Sequence, residues 1–159
     1  MGNKKIVYVG IGIAVVVTLF LLVRPGVTGY VALENFEGTV EFHKAMSCGC
    51  CSLHANYLSG KGGLELDMMI MEDVKSAKDN LSIPDELRSC HTIVIGDYYV
   101  EGHVPLEAIN RLLEEKPDIA GIALPGMPAG SPGMMGSKSG DWVIYGINHD
   151  GTSFEWMVI

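Results

Sequence analysis

The 159-residue sequence predicts an α/β domain carried behind one apolar N-terminal segment. Three observations lead there. Short runs with a period of two alternate with runs of helical period, in the order β-α-β-α-β-β-α. A cysteine-rich turn, SCGCC, sits at the first strand-to-helix junction. Ile6–Val23 is 18 consecutive uncharged, mostly apolar residues, near the lower limit of length for a membrane-spanning helix.

Lys4 and Lys5 precede the apolar run and Arg24 follows it. With the terminal amine, the positive charge lies mainly before the span, which keeps the N-terminus cytoplasmic and places everything after Pro25 outside. A cleaved signal peptide is the competing reading, but the flank VRPGVTGYVA lacks the small-residue cleavage pattern. Residues 1–26 are therefore expected to remain as a single-pass anchor in the cell membrane. Residues 27–37 read as a linker or an extra strand, and 38–159 as the extracytoplasmic domain. Without residues 1–26, 8 Lys and Arg face 19 Asp and Glu, a net charge of −11. A domain so acidic is a poor nucleic-acid binder.

Within the domain, TVEFHKAM alternates with Val40, Phe42 and Met46 on one face, and reads as a strand. CSLHANYLSG reads as a helix with Leu53, Tyr57 and Leu58 inward and Gly60 as its stop. LELDMMIM is a second strand, with Met68, Met69 and Met71 expected to pack. VKSAKDNL is a weak helix before Pro84. HTIVI and YVEGHV form a hairpin through GDY. Pro105 opens a helix with Leu106, Ile109, Leu112 and Leu113 in one stripe, ended by Pro117. Residues 120–136, AGIALPGMPAGSPGMMG, show neither period and are expected to be loop. WVIYGIN and SFEWMV flank HDGT as a terminal hairpin. The order over residues 38–117, with cysteines at the first junction, resembles the thioredoxin fold. The full expectation is a thioredoxin-like fold with an added Gly/Pro/Met loop and C-terminal β-hairpin, preceded by a transmembrane helix.

The chain has four cysteines: Cys48, Cys50, Cys51 and Cys90. Structural disulfides, a redox couple and a metal site are all open readings. Of the three pairings, only Cys48–Cys51 with Cys50–Cys90 is relaxed, and a structural framework seldom crowds its cysteines this way. A helix entrance stabilises thiolate, the form that attacks disulfides and binds metals. Cys48 and Cys51 form a CxxC pair, the candidate catalytic pair of a thiol or copper oxidoreductase. Cys50 adds a third thiol, more than dithiol exchange needs but suited to a metal. Thiolate with imidazole suits Zn(II), whereas thioether with thiolate selects Cu(I). Met127 and Met134, in a loop without a core role, tip the choice of cofactor to copper as Cu(I), with zinc as the alternative. His103, in EGHV, is a further candidate ligand. In thioredoxin-like folds the loop before the third strand packs on the CxxC turn. That resemblance puts Cys90 against the cluster and His91 where such folds carry a cis-proline.

CGCC, LRSCHTIVIGDYYVEGHVPLEAINRLLEEKP and GIALPGMPAGSPGM together closely resemble the CopG-like family, metal-binding proteins often associated with copper resistance. The match runs from about Gly38 to Met135. The resemblance implies an exported, thioredoxin-like protein that binds copper through Cys48, Cys50, Cys51 and Cys90, with His91, His103, Met127 and Met134 as further ligands. His54 departs from the pattern, since the family is expected to carry tryptophan there. A retained anchor is a second departure, because many relatives are soluble after export.

Overall fold

The structure is a computed structural model that describes residues 29–159. The expected transmembrane helix lies outside the described residues, and no helix among them is long and apolar enough to cross a membrane.

Seven strands form one sheet: β1 (Val40–Ala45), β2 (Leu66–Met71), β3 (His91–Ile95), β4 (Tyr98–Gly102), β5 (Gly121–Leu124), β6 (Val143–Ile147) and β7 (Ser153–Val158), in spatial order β2-β1-β3-β4-β5-β6-β7. Among the described residues, four α-helices accompany it: α1 (Val31–Glu34), α2 (Gly49–Gly62), α3 (Lys75–Asn80) and α4 (Leu106–Glu115). β1 and β2 pair in parallel across α2, and β4 and β5 pair in parallel across α4. Between these two units, β3 is antiparallel to both β1 and β4. The predicted terminal hairpin is present as β6 and β7.

The core lies between one sheet face and the helices α1, α2 and α4. Val40, Phe42, Ile93, Ile95, Val100 and Ile122 meet Cys51, Leu58, Leu106, Ile109 and Leu112 there. α1 is fixed by Asn110 Oδ1, which accepts from Ala32 N at 3.0 Å. On the opposite face Ile83, Leu87, Tyr99, Ala123 and Ile147 make a smaller core. Beside it lies a buried ion pair, Lys78–Glu101, whose second carboxylate oxygen accepts from Thr92 Oγ1.

Several sequence expectations need correction. Residues 31–34 are helix where linker or strand was expected. Met46 lies beyond β1 and is 75% exposed; Lys44 takes the third inward place of the strand. In α2, Leu53 faces solvent and His54 faces the core with Cys51, Ala55 and Leu58. That set follows the i, i+3, i+4, i+7 spacing, and the histidine within it hid the stripe. The helix runs past Gly60 to a left-handed cap at Gly63 (φ +69°), a conformation glycine adopts without strain. Met68 and Met69 are exposed, because β2 is the sheet's edge strand and Met69 lies on the face that the short α3 leaves open. GIAL in the expected loop is β5, entirely buried. A strand buried on both faces shows no alternation, and the flanking glycines and prolines obscured its four residues.

Candidate metal centre

The centre forms where α2, the entry to β3, the exit of β4 and the 126–136 loop meet. Cys48 caps α2: its Sγ accepts from Cys51 N at 3.3 Å. Lys44, buried beneath, donates from Nζ to the carbonyls of Ala45 and Cys48, each at 3.3 Å. This cation and the helix dipole both favour negative charge on the turn. Cys48 and Cys51 are joined as a disulfide, and Cys50 and Cys90 are free thiols. Cys50 Sγ lies 3.6 Å from Cys48 Sγ. The four sulfurs all lie within 4.8 Å of one another.

A second group overlaps the first at Cys90. His91 Nδ1 is 3.2 Å and His103 Nε2 is 3.1 Å from Cys90 Sγ. Both rings are buried, as is that of His54. Their proton positions follow from carbonyl partners, which can only accept. Val104 O lies 3.0 Å from His54 Nε2, so that nitrogen carries the proton and His54 Nδ1 a lone pair. His91 Nε2, 2.7 Å from His54 Nδ1, must then donate. Pro132 O, 2.7 Å from His103 Nδ1, takes that ring's proton. His91 Nδ1 and His103 Nε2 are left as two lone pairs facing one sulfur. A thiol has one proton to offer, so one lone pair stays unmatched. A cation with Cys90 as thiolate satisfies all three atoms.

Electrostatics agree with neutral rings. Burial, and then His103, push His54 down to about 3 against its hydrogen bond to Val104. Burial pushes His91 well below the usual histidine value, with the neighbouring histidines and the ammonium groups of Lys78 and Lys44 adding to it. His103 is lowered by burial too. Neutral imidazole is the metal-binding form. Cys90 is pushed up to about 11, first by burial and then by Cys50, so without metal it is a thiol. Soft thiols beside unprotonated imidazoles make a donor set that fits copper or zinc.

The loop closes one side. Gly133 has φ +85°, and a Cβ there would stand 2.7 Å from His54 N and 2.9 Å from Cys50 O. Only glycine permits this approach.

Two solved structures, both titled as forms of a copper resistance protein copG, match the chain. One is 35% identical, covers 73% of this chain and 93% of its own, with a TM-score of 0.67. The other is 36% identical, covers 73% and 92%, with a TM-score of 0.66. This chain belongs to the CopG-like copper-resistance family. A family model described as "Protein of unknown function, DUF411" matches residues 87–134, the CopG-like stretch holding Cys90, His91, His103 and the loop. Comparison with curated proteins finds no match. The cysteine cluster fits the copper binding expected of a CopG-like protein.

Of the residues singled out in the sequence, Cys48, Cys50, Cys51, Cys90, His91 and His103 come together in these two overlapping groups. Met134 follows Gly133 on the docked part of the loop and is half-buried, whereas Met127 is 40% exposed. The sequence marks His54 only as a departure from the family pattern and gives Lys44 no role. The inward stripe of α2 and the alternation of β1 were the signals that place them.

Proposed function

We propose that the chain is a membrane-anchored, extracytoplasmic protein that binds Cu(I) and sequesters it or changes its oxidation state. On this reading β1 to α4 is a thioredoxin-like core whose redox junction serves a metal. Cys48, Cys50, Cys51 and Cys90 supply thiolates, His91 and His103 supply nitrogens, and Met127 and Met134 shield or complete the centre. The observation that carries the reading is the pair of imidazole lone pairs aimed at Cys90 Sγ. The titles of the matching structures favour copper over zinc. So do loop thioethers, which prefer Cu(I). The Cys48–Cys51 disulfide withholds two of the four thiolates, so full binding requires an external dithiol to supply two electrons and two protons, itself becoming a disulfide.

The reading is tested by titrating Cu(I) anaerobically into reduced and oxidised protein. The reduced form should bind Cu(I) far more tightly than Zn(II), and the oxidised form should lose capacity. Equal binding by both forms would refute a four-thiolate centre. Protease added to intact cells should reach the domain; protection of the domain would reverse the topology.

The CxxC disulfide also favours a second reading, a thiol-disulfide oxidoreductase of exported proteins. Insulin reduction by metal-free protein, abolished by Cys48→Ser, would support it.

A further inference from the structure

We infer that His54 is a positioning residue: it holds His91 in the one tautomer that presents Nδ1 to Cys90. The inference rests on the metal-centre reading for its purpose, but the hydrogen bonds that carry it stand without metal.

His54 occupies an inward position of α2 where an apolar side chain would serve the core. Both its nitrogens are instead committed. Nε2–H donates to Val104 O at 3.0 Å, and Nδ1 accepts from His91 Nε2 at 2.7 Å. Val104 follows His103, so the first bond ties α2 to the segment that bears the second nitrogen donor. The next bond dictates which nitrogen of His91 is protonated. Phe42 stacks on the His91 ring with centroids 4.6 Å apart and planes 14° apart. That contact fixes the plane of the ring but is blind to its tautomer. His54 is the group that reads the proton.

Without an acceptor at position 54, a proton on His91 Nε2 would be buried and unpaired, at a cost that favours moving it to Nδ1. There it would point at Cys90 and remove a lone pair from the centre. A hydrogen-bond partner that sets the tautomer of a metal-ligating histidine typically changes affinity by about 10–100-fold.

The test has two parts. Long-range 1H–15N spectra of the metal-free, reduced wild-type protein should show Nε2–H on His54 and His91 and Nδ1–H on His103. An Nδ1–H tautomer at His91 overturns the inference outright, whatever the variants do. His54→Leu should then raise the Nδ1–H population of His91 and lower Cu(I) affinity by at least about 10-fold. His54→Asn, whose carbonyl oxygen can take the place of Nδ1, should restore most of both. An unchanged tautomer in folded His54→Leu, or an Asn variant no better than Leu, overturns the inference. A shifted tautomer with unchanged Cu(I) affinity also overturns it, since His91 would then not be a ligand. A wild-type protein that binds no Cu(I) refutes the copper reading instead, and the metal-free spectra still decide whether His54 sets the His91 ring.

Discussion

Acid should destabilise the metal-free protein well above the pH range in which its carboxylates protonate. His54 titrates near 6.5 when unfolded and about 3 when folded. A group whose folded value is depressed contributes stability that is complete above its unfolded value and is lost as pH falls below it. As pH falls below 6.5 the unfolded chain gains stability by taking up a proton on this imidazole, and the fold, which keeps the ring neutral, does not. Between pH 7 and pH 5, one histidine that stays neutral in the fold costs about 2 kcal/mol. His91, lowered first by the same burial and then by its neighbours, adds to the loss in the same direction, so about 2 kcal/mol is the least the wild type should lose. His103 adds to it in the same direction. The assay is urea denaturation of the oxidised, metal-free protein at the two pH values, with the disulfide intact throughout. The His54→Leu variant should show roughly 2 kcal/mol less pH dependence over the interval. A wild-type loss below about 1 kcal/mol would refute the neutral, buried histidine cluster.

Gly133→Ala should lift the loop from α2, because the added Cβ meets His54 N and Cys50 O and the backbone is left-handed. Strain of about 1–2 kcal/mol is expected in thermal unfolding, with faster hydrogen exchange at residues 128–135. Lys78→Met leaves the Glu101 carboxylate buried without its partner and should cost about 3–5 kcal/mol; adding Glu101→Leu should recover much of that. Replacing Met127 and Met134 together with Leu should cost under about 1.5 kcal/mol. The same variant should weaken Cu(I) binding or hasten air oxidation of the loaded protein, and unchanged values of both would make the loop a plain cover.

How far the sequence reaches differs between the elements and the site. Helix α4 was legible because Leu106, Ile109 and Leu112 keep helical spacing between two prolines. The hairpin β3–β4 was legible from apolar runs around a glycine turn. β5 was not, because burial on both faces removes the alternation that identifies a strand. In α2 the inward stripe contains a histidine and a cysteine, so apolar content alone points to the wrong face, the one bearing exposed Leu53. The same choice of face leaves His54, which the sequence marks only as a departure from the family pattern, without its inward role. A buried histidine is identified by its partners, and Val104 O and His91 Nε2 are distant in the chain. The cysteines were legible through their spacing and the helix entrance. The convergence of His91 and His103 on Cys90 is tertiary: it depends on the pairing of β3 with β4.

Cys90 Sγ is the atom shared by the thiol cluster and the histidine pair, so it gives the most direct test. Cu(I) affinity should be measured anaerobically, by competition with a chromophoric chelator, for reduced wild-type protein and for Cys90→Ser. The shared-centre reading requires tight binding by the wild type and a loss of at least about 10-fold, or 1.4 kcal/mol, in the variant. Equal affinity in the two proteins would contradict it.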